Sequence, residues 1–313
     1  MTQGHRYSPL YLILIMIALA ILSGCAGKVS LANLGPQQLF DRGLEAYNDE
    51  DYLDAIEYFQ TIVYNFPGES IVDTAQYYLG LSYFGNEDFL VAQTEFNRLV
   101  MNYPSSPYFV NALFMRAVSF YESTPDHYGL DQSELRTAIK QLEDFMIDYP
   151  ESELVDEAEL ILAEARDRLA HKYYEAGKVY DHIRAYGAAK KYFQKVVDDY
   201  TNSEWAVKSA FELARMEYKQ GNFDEASRRF ENFASVYSDH EQAEKARERA
   251  LESAFAWAKK AYDAGLYDQA RERLQAFTEK YSDSDLADEA QEYLQELKEK
   301  ASEQGVAHDS TDT

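Results

Sequence analysis

Small, apolar and polar positions recur along this chain with a helical period, and the pattern predicts pairs of helices. The clearest unit spans residues 73–106 and carries its small and apolar residues at Leu79, Gly80, Tyr83, Phe89, Ala92, Phe96, Leu99 and Pro104. Gly80 and Ala92 are small enough for two helices to cross closely, and Pro104 ends the second helix because its ring has no N–H. Since no run of alternating apolar and polar residues indicates a strand, we predict an all-α fold.

This unit recurs about six times, each time with a small residue at the same place in its second helix. These residues are Ala55, Ala92, Ala138, Ala189, Ala226 and Ala270. The spacing matches the tetratricopeptide repeat (TPR), in which helix A and helix B form a hairpin and successive hairpins stack on each other. We therefore predict a TPR-like right-handed superhelix of about six helix-turn-helix repeats. Residues 36–150 would hold the N-terminal units 1–3 and residues 151–300 the C-terminal units 4–6.

Two segments depart from the repeat. The stretch 123–132, within the third unit, is polar and rich in turn residues, so it is predicted to be a loop. It is either a tolerated surface insertion or a loop that shapes a binding groove, and the sequence favours neither interpretation. Residues 301–313 carry almost no apolar periodicity and are predicted to form a disordered tail.

The N-terminus has the features of an export signal. An uninterrupted apolar run extends from Leu10 to Leu22, which is shorter than the roughly 20 residues that a membrane-spanning helix needs. It ends in Leu22-Ser23-Gly24-Cys25, with small residues directly before the single cysteine of the chain. This segment resembles the lipobox of bacterial lipoproteins, in which the cysteine becomes the N-terminal residue and carries acyl chains such as palmitate. Residues 1–24 are thus predicted to be a lipoprotein signal peptide, Cys25 the lipidation site and residues 25–35 a tether; the alternative is a cysteine that merely lies near a cleavage site.

Charge and composition limit the kinds of partner. The formal net charge is −25 at pH 7, so the surface would repel nucleic acid phosphates and anionic headgroups. Aromatic residues make up 14% of the chain, which is too many for a disordered protein. The composition therefore favours a folded, acidic protein that binds other polypeptides.

No pattern in the sequence indicates catalysis. The six histidines are scattered, without the spacing of a metal motif, and no serine lies in a G-x-S-x-G turn. The acidic runs are explained by solvated helix faces and turns. We predict a protein that is not an enzyme, with no catalytic residue, metal or cofactor.

Several segments together resemble one family. They are the lipobox at Leu22–Cys25, the aromatic stretch 77–84, Tyr-Pro-Ser-Ser-Pro at 103–107, the insertion followed by Ala138-Ile139, and Tyr-Pro-Glu-Ser at 149–152. Over residues 25–240 the chain resembles the BamD family of outer-membrane assembly lipoproteins, which are TPR subunits of the β-barrel assembly machinery. Members of that family typically have five TPR units, whereas a sixth is indicated here between Trp257 and Tyr281.

This resemblance implies a location and a set of partners. A lipid on Cys25 would hold the protein at the periplasmic face of the outer membrane, where it would help to assemble and insert β-barrel proteins. The N-terminal repeats would meet unfolded outer-membrane protein precursors, and the C-terminal repeats would dock on the central barrel protein of the machinery, alongside its other lipoproteins. Since TPR spacing is common and the sixth unit is atypical, the alternative is a TPR lipoprotein adaptor for cell-wall synthesis or secretion machinery.

Aromatic side chains on helix A, away from the consensus positions, are the candidates for contacting a peptide in a TPR groove. A TPR array offers a continuous face to an extended segment, and large aromatic side chains supply contact area with little loss of entropy. On this basis Tyr47, Tyr78 and Phe114 are the predicted peptide-groove residues.

Overall fold

The computed structural model describes residues 31–309, so the predicted signal peptide 1–24 and the lipidation site Cys25 lie outside the described residues. Within this range a short 3-10 helix, Leu31–Asn33, precedes thirteen α-helices, and no strand is present. No helix in the described range is both long and apolar enough to cross a membrane. The helices are α1 Pro36–Asn48, α2 Tyr52–Asn65, α3 Val72–Gly85, α4 Phe89–Asn102, α5 Phe109–Glu122, α6 Ser133–Asp148, α7 Val155–His182, α8 Tyr186–Asp199, α9 Glu204–Lys219, α10 Phe223–Val236, α11 Ala243–Asp263, α12 Tyr267–Lys280 and α13 Asp285–Asp309.

Successive helices form hairpins, which confirms the all-α helix-turn-helix prediction. In chain order, odd-numbered helices from α1 to α11 take the place of helix A of a repeat and even-numbered helices that of helix B. The pairs α1–α2, α3–α4, α7–α8, α9–α10 and α11–α12 are in contact, and α13 packs on α12. Helices A of neighbouring repeats also touch, as α1 does with α3 and α7 with α9. The described chain thus contains six TPR-like hairpins followed by one further helix.

Small residues let helix A and helix B of a hairpin approach closely. A Cβ added at Gly80 would lie 2.6 Å from the ring of Phe96, and the equivalent distance from Gly177 to Phe193 is also 2.6 Å. The six alanines that the sequence places at the crossing are all fully buried: Ala55, Ala92, Ala138, Ala189, Ala226 and Ala270. The predicted register of the repeats is therefore confirmed.

The A-to-B turns differ in the residue that adopts a left-handed backbone. This residue is Glu50, Glu87 or Arg184 in three turns and Gly221 or Gly265 in two others, with φ between 60° and 76°. A side chain in this region is strained by roughly 1–2 kcal/mol, whereas glycine is not. Three of the turns therefore carry a strain that the two glycine turns avoid.

The chain divides into two compact units, Met1–Ser119 and Phe120–Thr313, of which residues 31–119 and 120–309 are described. The boundary between these compact units falls inside α5. The reason is that Tyr121, in the last turn of α5, packs against Leu135, Ala138 and Ala165 and so joins the core of α6 and α7. The end of α5 thus belongs with the second unit.

The last helix extends to Asp309, although the sequence predicts a disordered tail from residue 301. Alanine, glutamate and glutamine at 301–304 have high helix propensity, so the backbone of α13 continues beyond its packed part. The last buried residue of this helix is Leu297 among those whose side chains are described. Residues 310–313 lie outside the described range, and there the tail remains a prediction.

Candidate functional site

Five half-buried aromatic side chains form a continuous surface in the first unit, and we call them the aromatic face. Phe40 and Tyr47 come from α1, Tyr77 and Tyr78 from α3, and Tyr108 from the residue before α5. The residues belong to helices A of neighbouring repeats or directly precede one. Because α1 and α3 pack side by side, their rings come together on one surface. The helical period then brings Phe40 and Tyr47, two turns apart on α1, to the same side.

Tyr78 lies at the centre of the aromatic face. Its ring centroid is 5.7 Å from Tyr47 and 5.7 Å from Phe40, both edge to face, and 6.4 Å from Tyr108. Tyr77 stacks on Tyr108 at 4.7 Å with an interplanar angle of 15°. Edge-to-face and offset-stacked pairs at these distances are favourable arrangements. The rings therefore hold one another in place while part of each stays exposed.

Burial raises the pKa of three phenols of the aromatic face, those of Tyr47, Tyr77 and Tyr78. The pKa of Tyr77 is raised to about 12, chiefly by burial and then by Tyr47, Tyr78 and Tyr108. Burial is also the main cause that raises the pKa of Tyr47 and of Tyr78. These hydroxyls are therefore neutral at physiological pH, so each is able to donate and to accept a hydrogen bond.

The structure brings two of the three predicted groove residues together and excludes the third. Tyr47 and Tyr78 are in direct ring contact, as part of the aromatic face. Phe114 lies on α5 in the core, with only 2% of its surface exposed, so its assignment to a peptide-contacting surface is wrong. The cause is its position on the helix: Ala117 and Val118, three and four residues further on, are also buried and share its face.

Sequence reasoning missed Phe40, Tyr77 and Tyr108. Signals in the sequence pointed to the first two of these residues. Phe40 precedes Tyr47 by two helical turns, and Tyr77 is adjacent to Tyr78. Tyr108 had no such signal because it precedes α5, and its place follows only from the packing of Tyr77.

The equivalent contact between helices A in the second unit includes charges in addition to the rings of His171, Tyr174 and Trp205. We call Lys178, Asp181, Glu212, Arg215 and Lys219 the ionic face. Lys178 lies 3.4 Å from Glu212, and Lys219 lies 2.5 Å from Asp181, each pair joining α7 to α9. Arg215 pairs with Glu212 in its own helix and lies 3.8 Å from Asp181 of α7. Since Glu212 is buried and paired with two cations, the charges of this face are matched within the chain.

The loop of residues 123–132 is fixed to α7 by hydrogen bonds. Arg168 donates to the carbonyl oxygens of Thr124 and Pro125, at 3.1 and 3.0 Å. Lys172 donates to the carbonyl oxygens of Tyr128 and Leu130, at 3.2 and 2.6 Å. The segment is a loop, as predicted, and both basic side chains hold its backbone.

A row of stacked rings extends this attachment. Tyr128 of the loop lies between His127 and His171, with centroids 4.7 Å from each. His171 in turn stacks on Trp205 at 4.0 Å and 9°. The insertion is therefore an ordered part of the second unit.

No group of three or more His, Cys, Asp or Glu side chains in residues 31–309 is arranged to hold a metal ion. The buried carboxylates that exist, such as Glu95 and Glu212, are bonded to nearby side chains. What the described surface offers is aromatic area and fixed charge, and both suit the binding of polypeptides.

One curated relative carries a functional name. The chain is 24% identical over 210 residues to the outer membrane protein assembly factor BamD of Rickettsia prowazekii, which corresponds to 66% of this chain and 83% of the relative. Among solved structures, it is similar to a tetratricopeptide repeat protein from Parabacteroides merdae, with a TM-score of 0.31, 14% identity and coverage of 83% of this chain and 98% of that one. It is also similar to the TPR2AB domain of yeast Sti1, with a TM-score of 0.37, 15% identity and coverage of 85% and 98%. The helices described above establish the fold without these similarities.

A family model extends over almost all of the described chain. It is that of YfiO, described as an outer membrane lipoprotein, and it matches residues 33–202 and 173–308. On the strength of this match the chain belongs to the YfiO outer membrane lipoprotein family.

Proposed function

We propose that this protein is a lipid-anchored scaffold of the β-barrel assembly machinery that helps to assemble and insert β-barrel proteins into the outer membrane. Membership of the YfiO family supports an outer membrane lipoprotein, and the relative from Rickettsia prowazekii is an outer membrane protein assembly factor. The observation that carries the binding role is the aromatic face on α1 and α3, where half-exposed tyrosines are already ordered by one another.

The aromatic face suits an unfolded, extended polypeptide. Strands destined for a barrel wall alternate apolar and polar side chains, and they expose unpaired backbone groups until they fold. The rings of Tyr47 and Tyr78 offer apolar area to the side chains, while their neutral hydroxyls are suited to hydrogen bonds with the backbone. Tyrosine loses little entropy on binding, and its preordered ring contacts reduce that loss further.

The anchor is proposed to be a lipid on Cys25. The small residues before this cysteine and the apolar run that precedes them support export and lipidation. A lipid there would place the folded part at the periplasmic face of the outer membrane, with residues 25–35 as tether. Replacing Cys25 with Ser is expected to release a soluble, folded protein, whereas retention in the membrane after a salt wash would contradict the lipid assignment.

The remaining partners are proposed to bind the C-terminal repeats. These are the central barrel protein of the machinery and its other lipoproteins. The net charge of −25 favours basic patches on those partners, because long-range attraction steers their approach. Pull-down of the full chain from membranes is expected to recover the barrel protein together with the lipoproteins.

Site-specific crosslinking tests the binding role of the aromatic face. A photoreactive phenylalanine at Tyr47 or Tyr78 is expected to crosslink to outer-membrane protein precursors in cells, because both positions lie in the aromatic face. Tyr64 is the matched control, since it is an exposed tyrosine of the same unit but lies on helix B. Equal crosslinking from Tyr64, or none from Tyr47 and Tyr78, would contradict the proposal. Crosslinks only to cell-wall synthesis enzymes would instead favour the adaptor function.

A further inference from the structure

A cavity of about 420 Å³ opens between α10, α11 and α12, in the sixth repeat and the helix that precedes it. Trp257 of α11 and Phe277 of α12 provide aromatic walls, and Ala254 and Ala276 leave the space between them. We call this cavity the sixth-repeat pocket. It is large enough for one bulky side chain and the backbone next to it.

The carboxylates that line this pocket are already neutralised. Asp224 lies 3.4 Å from Arg228, and Glu231 lies 2.7 Å from Lys280. Burial by itself would raise the pKa of Glu231, but hydrogen bonds from Lys280 and Tyr281 outweigh it and hold that pKa below its usual value. Both acids are therefore paired with a cation, so neither provides a free negative site for a basic ligand.

The environment of Arg273 differs from that of Arg228 and Lys280, the other two cations that line the pocket. Its guanidinium lies over the ring of Trp257, 4.1 Å from the centroid, and donates to the carbonyl oxygen of Trp257 at 3.2 Å and to Gln269 at 3.0 Å. In the described part of the chain these oxygen partners are neutral. A guanidinium has five N–H donors, so donors remain for a bidentate carboxylate. Stacking on Trp257 restricts the guanidinium, so the side chain of Arg273 loses little further conformational entropy when an anion binds.

One cation of the lining favours an acidic ligand, in spite of the acidic chain around it. The lining holds three cations, Arg228, Arg273 and Lys280, and two carboxylates. Arg228 also pairs with Glu225, and Lys280 pairs with Glu231, so Arg273 is the cation of the lining that forms no ion pair among the described residues. A guanidinium without a carboxylate partner, beside apolar walls, selects a ligand that is both negative and apolar.

A second depression of about 700 Å³ adjoins the pocket and indicates a ligand longer than one side chain. It shares Glu231, Lys280 and Tyr281 with the sixth-repeat pocket and continues over Ala250 and Leu251 of α11. The shared residues lie between the pocket and the second depression, so one extended ligand that crosses them would occupy both. A polypeptide meets that requirement.

We propose that the sixth-repeat pocket binds a polypeptide segment that presents an acidic side chain next to a large apolar one. The carboxylate pairs with Arg273, the apolar side chain packs on Trp257 and Phe277, and the backbone continues toward Leu251. This surface is separate from the aromatic face, and the inference goes beyond the function proposed above.

Fluorescence of Trp257 provides a readout specific to this pocket. The chain has two tryptophans, so Trp205→Phe in the full chain leaves Trp257 as the single indole. The probe is a nine-residue peptide, acetylated and amidated, with Glu-Phe at its centre, titrated into the protein in detergent. We expect saturable change in the emission of Trp257 with the Glu-Phe peptide, and at least roughly tenfold weaker binding of peptides with Gln-Phe or Glu-Ala.

Two matched substitutions separate the role of Arg273 from general effects. Arg273→Gln is expected to abolish the preference for Glu over Gln in the peptide. Arg271→Gln, two residues away on α12 and paired with Asp268, is expected to leave it unchanged. Calorimetric titration of the same peptides with the unmutated chain removes any dependence on the Trp205 substitution.

The proposal is overturned if the chain binds none of the peptides, if Glu-Phe and Gln-Phe bind alike, or if Arg273→Gln keeps the preference with its melting temperature unchanged. If Arg273→Gln does not fold, the titrations of the three peptides into the unmutated chain test the proposal instead, because they need no substitution in the pocket. Because Trp257 reports on α11 alone, a negative result here leaves the crosslinking test of the aromatic face unaffected.

Discussion

The two units use one backbone plan, but the chemistry that joins their neighbouring helices A differs in part. In the first unit α1 meets α3 through the rings of the aromatic face. In the second unit α7 meets α9 through the ion pairs of the ionic face as well as through the rings of His171, Tyr174 and Trp205. Ring contacts tolerate small changes of position and keep apolar area exposed. Paired charges, once buried, are costly to separate. The ion pairs are expected to hold α7 and α9 in one arrangement, whereas the first unit keeps exposed the apolar area on which the proposed binding of extended ligands depends.

The A–B crossing is common to both units, so disturbing it gives the largest expected effect in each. Gly80→Ala and Gly177→Ala would place a Cβ 2.6 Å from Phe96 and Phe193, and each is expected to lower the free energy of unfolding by about 1–3 kcal/mol. Gly187→Ala is the control, because nothing lies within 4 Å of its added Cβ. Thermal or denaturant unfolding measures all three. Unchanged stability in the first two would show that the assigned crossing is wrong.

Removing a charge from the ionic face is expected to have the next largest effect. Glu212→Gln removes the carboxylate of Lys178 and leaves Arg215 with only the 3.8 Å contact to Asp181. It is expected to cost about 1–2 kcal/mol, a figure reduced for screening because Lys178 is 39% exposed. Glu204→Gln, which breaks an exposed pair with Lys208 in the same helix, is the control and should change little. Equal losses in the two variants would mean that the ionic face contributes no more than a surface pair.

Acid is expected to weaken the second unit through Glu217 of α9. Burial alone would raise its pKa, but hydrogen bonds from Asn222 and Lys190 prevail and hold the pKa below the usual 4.5. With a folded pKa below the unfolded one, the stabilisation is complete above pH 4.5 and is lost as the pH falls through the folded value. The protection factors of the α9 amides, which correct for the pH dependence of intrinsic exchange, should therefore fall below pH 4.5, and less so in Glu217→Gln. An equal fall in that variant would assign the effect to other groups.

Substitutions in the A-to-B turns are expected to raise the free energy of unfolding by a smaller amount, and by the same amount in both units. Glu87→Gly in the first unit and Arg184→Gly in the second remove the side chain from a residue with φ near 60°. Each is expected to raise the free energy of unfolding by about 0.5–1 kcal/mol, the relief of strain less the added entropy of the unfolded chain. A loss of stability in either variant would show that the side chain makes contacts worth more than the strain.

How far the sequence predicted this structure depends on the range of the interaction. The hairpins were predictable because Ala92, Gly80 and Phe96 pack locally, with a period that is visible in the chain. The side of α5 on which Phe114 lies was not, because an aromatic residue off the consensus position suits the core as well as the surface. Tyr108 enters the aromatic face only through its contact with Tyr77, which is distant in sequence.

The ionic face shows the same limit. Lys178 and Glu212 are 34 positions apart, on different helices, and a chain so rich in acids offers many equivalent partners. Their charges are explained equally well by solvated helix faces, which is how the sequence alone presents them. Only the packing of α7 on α9 selects the pairs that form.

Hydrogen exchange of the full chain with and without an unfolded outer-membrane protein tests the central claim most directly. The account predicts slower exchange in α1 and α3 when the unfolded protein is added, with α7 and α9 unchanged, because binding is proposed for the aromatic face and the charges of the ionic face are paired within the chain. Protection confined to α7 and α9, or none in either pair of helices, would contradict it.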